Sequence, residues 1–94
     1  MDAVYYVVLR IKTSEGFESY GRFSLGNDSA KAHEIFDMLK GSHDVDESNS
    51  LQVDFVEFIN EVPVTLRIIA CTVEELSINI RIITKEIFKL FNLL

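Results

Sequence analysis

Cys71, His33 and His43 are the side chains of this sequence best suited by type to do chemistry. Cys71 is the only cysteine. A catalytic thiol needs a base beside it and an electropositive setting. No histidine is near Cys71 in sequence, and it closes a β-branched run, so it reads as a small apolar core residue. A lone cysteine forms no internal disulfide, which points to a reducing compartment. His33 and Asp37 stand i, i+4 and project from one side of a helix. With His43, Asp44, Asp46 and Glu47 they are the set from which a divalent ion would draw ligands. Residues 44–48 (DVDES) resemble the start of a calcium loop. The pattern then fails, because the sixth position is Asn49 rather than glycine and the twelfth is Phe55 rather than glutamate. The stretch reads as a solvated acidic loop, and neither a metal nor a cofactor is expected.

Paired carboxylates carry little signal in a chain with 15 acidic residues. Asp54 and Glu57 are three apart in a strand, so they point to opposite faces and cannot share a proton. Glu57 falls on the face otherwise occupied by Val53, Phe55 and Ile59. Either it lies at the sheet margin and reaches water, or a bulge re-aims the strand end. If it were buried, its raised pKa would make it a candidate general base. There is no nucleophile elbow, P-loop or dinucleotide fingerprint. A turn, a bulge or a cap accounts for Gly16, Gly21, Gly26 and Gly41. No catalytic residue is assigned.

The elements that position these side chains are legible from periodicity. Residues 4–13 and 17–25 are rich in β-branched and aromatic types and read as a hairpin. A two-residue loop would mix apolar and polar positions across the pair. A three-residue loop ending at Gly16 puts Thr13 opposite Phe17, Lys12 opposite Glu18 and Arg10 opposite Tyr20. Gly21, opposite Leu9, leaves room for a bulky neighbour or marks a bulge. Asn27 or Asp28 caps a helix over 29–40 whose buried stripe is Ala32, Ile35, Phe36 and Leu39, and Gly41 stops it. Residues 51–60 and 62–71 form a second hairpin around Glu61 and Val62, with Pro63 at a strand start or edge. Residues 72–94 open with a capping box, Thr72 and Glu75. They continue as a helix with Leu76, Ile80, Ile83, Ile87, Leu90 and Leu94 on one face. Alternation over 76–82 also fits a strand, but the capping box and the long stripe favour the helix.

The expected fold is therefore one α+β domain over 1–94. It is a two-layer sandwich, a four-stranded antiparallel sheet with two helices on one face, in the order ββαββα. That order repeats a ββα unit, although residue identity between the halves is not evident. Hydrophobic residues at 48% and charged residues at 26% place the chain among globular proteins rather than disordered ones. The net charge of −6 argues against nucleic acid, because neutralising phosphates needs clustered lysine and arginine. An RNA-binding sheet is disfavoured on the same ground and by the element order. The N-terminal residues lack a basic region before their apolar run, which excludes a signal peptide. Charged residues interrupt 72–94, so no membrane span is expected. The reading is a cytoplasmic, soluble protein.

If both helices cover one face of the sheet, the other is left open. The expected registers place Tyr6, Val8, Arg10, Tyr20, Arg22, Val56, Phe58, Arg67 and Ile69 on it. Aromatic residues interleaved with arginine are an interface-like mixture. Cross-strand pairs also put scattered valines and tyrosines on solvent faces. On the back of the last helix, Ile78 and Ile82 lie among Arg81, Lys85 and Lys89, a weak sign of a second contact. The function expected is a non-enzymatic protein–protein interaction or regulatory module, dimerising with itself through the open sheet face. The alternative is an enzyme or small-ligand binder with a pocket between sheet and helices or at a dimer seam.

Overall fold

A computed structural model describes residues 3–45 and 50–92. The elements follow in the order β1 (Val4–Thr13), β2 (Gly16–Gly26), α1 (Ser29–Asp37), β3 (Leu51–Ile59), β4 (Val62–Cys71) and α2 (Val73–Leu90). The four strands form one antiparallel sheet in the order β2-β1-β3-β4. Each hairpin contributes its first strand to the middle and its second to an edge. Pro63, with no N–H to give, sits near the start of edge strand β4. Both helices pack on one face. Tyr5, Val7 and Leu9 of β1 join Val53 and Phe55 of β3 and Ile69 of β4. Ala32, Ile35 and Phe36 of α1 and Ile83 of α2 close this core from above. The expected α+β sandwich is the observed one. Asp46 and Glu47 of the candidate metal set, and Leu94 of the expected stripe, lie outside the described residues.

The first hairpin reconciles the two registers that side-chain pattern alone sets against each other. Its loop has two residues, Ser14 and Glu15, and Thr13 faces Gly16 rather than Phe17. Gly16 does take a positive φ of 112°, but as a paired residue. Lys12 then faces Phe17 and Arg10 faces Ser19, not Glu18 and Tyr20. A bulge at Tyr20 restores the expected alignment as far as Ser24, with Leu9 opposite Gly21 and Val7 opposite Phe23, and a further shift at Leu25 then sets Tyr5 opposite Gly26. Gly21 has the room-giving role as well, since a Cβ there would lie 3.4 Å from Leu9 Cδ1.

The second hairpin turns one residue earlier than expected, at Asn60 and Glu61. Their φ values of +53° and +65° are those of the tight turn whose twist suits a hairpin. Leu66 is the extra residue of a second bulge, between the pairs Val56–Thr65 and Phe55–Arg67. This overturns the expected facing of β4 beyond the bulge. Ile69, expected outside, is 3% exposed in the core. Arg67 also lies on the covered face, with its guanidinium over the Phe36 ring and paired to Asp37. The two hairpins are the same construction. One fixed shift along the chain carries Ser14 onto Asn60, Tyr20 onto Leu66, Ser19 onto Thr65 and Val8 onto Asp54.

The helices also differ in detail from the periodicity. Asp28 caps α1 by accepting from the Lys31 N–H, but the helix ends at Asp37 rather than at residue 40. Gly41 is therefore not its stop signal. A Cβ at Gly41 would come within 2.7 Å of the Ala70 carbonyl oxygen, and only glycine lets the next residue, Ser42, pair with Ala70 on the β4 edge. The Thr72–Glu75 capping box of α2 is formed in both directions. Helix, not strand, runs through residues 76–82. Its inner row is Asn79, Ile83 and Glu86, and Ile80 turns outward at 37% exposure. Asn79 accounts for that rotation. Its Oδ1 accepts from the Lys40 N–H at 2.6 Å and its Nδ2 donates to the Lys40 carbonyl at 2.8 Å. The amide thus grips the end of the chain leaving α1, and α2 must present that side inward.

Candidate functional site on the open sheet face

Alternation puts every second residue of β1 and β3 on the face without helices. The registers bring Tyr6, Val8 and Arg10 of β1 between Ser24, Arg22 and Ser19 of β2 and Val56, Asp54 and Gln52 of β3. Tyr6 and Phe58 meet edge to face at 5.4 Å, and the Arg22 guanidinium lies 4.7 Å over the Tyr6 ring. Of the residues expected on this face, Tyr6, Val8, Arg10, Arg22, Val56 and Phe58 are brought together there. Tyr20 is not, because it is the extra residue of the bulge and is half-exposed. Burial, then the negative potential of Cys71, hold its hydroxyl proton more tightly than usual.

The open face is hollowed. A cavity of about 330 Å³ has Val8, Val56, Phe58 and Pro63 as apolar walls. Ser19 and Thr65, which flank the two bulges, contribute hydroxyls, and Arg10, Arg22 and Asp54 contribute charge. Asp54 is 1% exposed although it lies opposite the helices. Arg10 covers it and donates through Nη1 to Oδ2 at 3.0 Å. Asp54 Oδ1 and Arg10 Nε are both buried without a hydrogen-bond partner. Burial raises the Asp54 carboxyl above its ordinary range, opposed by the hydrogen bond and charge of Arg10. Asp54 was legible in the sequence only as half of a pair with Glu57. Its partner is across the sheet, and only the register brings the two together.

The remaining candidates are engaged elsewhere. Glu57 stays at the margin of the covered face, where the Tyr5 hydroxyl donates to it at 2.8 Å. The bulge offered as its explanation exists, but in β4 rather than β3. His33 Nδ1 bonds the Ser29 carbonyl oxygen at 2.8 Å and its ring stands edge-on to Phe55 at 4.9 Å. Asp37 is held by Arg67. Among the described residues, no group of three or more His, Cys, Asp or Glu side chains is gathered as a metal would require. Cys71 is pushed up to about 11 by burial and by Glu75, so its thiol stays protonated and is a poor nucleophile. Among the described residues, no helix is long and apolar enough to cross a membrane.

A buried carboxylate fixes one guanidinium, an aromatic ring supports a second, and both border an apolar hollow. Among the described residues, no histidine lines the hollow beside Ser19 and Thr65. No family model, curated protein or solved structure matches the chain.

Proposed function

We propose that this protein is a non-enzymatic binding module that works through the open face of its sheet, in a cytoplasmic setting, and meets another protein there. The simplest such partner is a second copy of the chain, joined about a two-fold axis. One observation carries the reading. The face that the helices leave uncovered is not a plain solvated surface but a hollow built around Arg10 and the buried Asp54. Keeping a charge out of water there costs stability that a merely solvated face has no reason to bear. The cluster of Tyr6, Phe58 and Arg22 adds the residue types that dominate binding energy at protein interfaces. Light scattering on the purified protein tests it. A dimer is expected, and Phe58→Asp converts it to a monomer with unchanged circular dichroism. A monomeric wild type that also keeps every captured partner after Phe58→Asp refutes the reading.

A further inference from the structure

We infer that the hollow on the open face is a binding site for a small organic monocarboxylate with an apolar body. The inference rests on the open face being the working surface, and it specifies the chemistry that surface recognises. The charges decide the sign of the ligand. Arg10 and Arg22 border the cavity with Asp54, which leaves one net positive charge and matches a monoanion better than a dianion such as a phosphate ester. The guanidinium geometry decides the group. Arg10 gives Nη1 to Asp54 and its Nε is buried, which leaves the Nη2 end of the fork for a second acceptor on a side chain that is 40% exposed. Arg22 rests with its guanidinium 4.7 Å over the Tyr6 ring and borders the hollow, so its N–H groups have an acceptor to find there. Planar forks of this kind pair with carboxylates through two parallel bonds. The hydroxyls of Ser19 and Thr65 supply further donors on either side. The apolar body is required by Val8, Val56 and Phe58, which no charged group could satisfy.

Size excludes a large ligand. At about 330 Å³ the cavity is at the low end of small-molecule sites. Asp54 is here a positioning residue rather than a contact. Its Oδ1 is sealed from the surface, and its role is to hold Arg10 in place before the ligand arrives.

The test is titration of the full chain, followed by amide resonances, with 3-phenylpropionate, its neutral amide, 2-phenylethyl phosphate and a peptide ending in phenylalanine. The free acid is expected to shift the resonances of Val8, Ser19, Asp54 and Thr65. It should bind at least about tenfold more tightly than the amide or the phosphate, and Arg22→Gln should remove about that tenfold. Arg22 lies at the surface, so this variant keeps the fold. Equal binding of acid and amide, tighter binding of the phosphate, or no shift at about 10 mM acid overturns the inference. Tighter binding of the peptide than of the free acid also overturns it, in favour of a chain terminus as the source of the carboxylate. Light scattering on the same samples separates this from the proposed function. A dimer that ignores the acid sinks only the ligand, and a monomer that binds it sinks only the dimer.

Discussion

Asp54 is the residue at which burial and charge compete most directly. Its folded pKa is raised, first by loss of water and against the pull of Arg10. In the unfolded chain it gives up its proton near the ordinary 3.8. The folded protein therefore binds the extra proton in the window above that value. Stability from this group is full below the window, falls as pH rises through it, and is flat above. Asparagine has the shape of the protonated acid at every pH. Melting temperatures of wild type and Asp54→Asn, compared from acid to neutral pH, should move in favour of the variant as pH rises through the window. A difference that stays constant, or moves the other way, would show that the Arg10 pairing outweighs desolvation. The sequence displayed Asp54 and Arg10 but not their meeting. Forty-odd residues separate them, and the join depends on a register that no local pattern encodes.

Two of the three extra residues, Tyr20 and Leu66, decide which side chains the middle of the sheet presents, and the third, Leu25, comes at the end of β2. Each bulge exchanges the faces of the residues on one side of it, so the strands were readable while the facing of Ile69 and Arg67 was not. Apart from Thr65 and Arg67, β4 is apolar at both alternating sets of positions from Val62 to Cys71, and such a run does not record where a residue is skipped. The helices show the converse. Capping residues and stripes announced both of them. Their exact facing follows from Asn79, a polar residue that apolar periodicity assigns to the outside. Its double bond to the Lys40 backbone makes a prediction at this scale. Asn79→Leu fits the volume but leaves an N–H and a carbonyl without partners, at a cost of about 2 kcal/mol. A loss of roughly 10 °C in melting temperature is expected by calorimetry for a domain of this size. A shift within the range of a neutral surface substitution would show that water replaces the clamp.

At the scale of the whole molecule, the order ββαββα and the one-sided helices were legible because hairpins and amphipathic helices are local. The hollow was not, since it arises from four strands and two bulges acting together. The shift that relates the two hairpins also relates β1 to β3, and their antiparallel ladder then has a local two-fold axis through the pair Val8–Asp54. The molecule is in this sense a dimer written as one chain, and a cut between Val45 and Ser50 should return two fragments that reassemble. The two fragments are not equivalent in what they can do alone. A first half pairing with its own copy would set Val8 against Val8 on the axis. A second half doing so would press one buried Asp54 carboxylate against another, which repels at neutral pH. Sedimentation of the separate fragments should find self-association in the first alone, and a mixture should form the one-to-one pair. Asp54 would then be the mark by which an ancestral homodimer, once fused, came to tell its two halves apart.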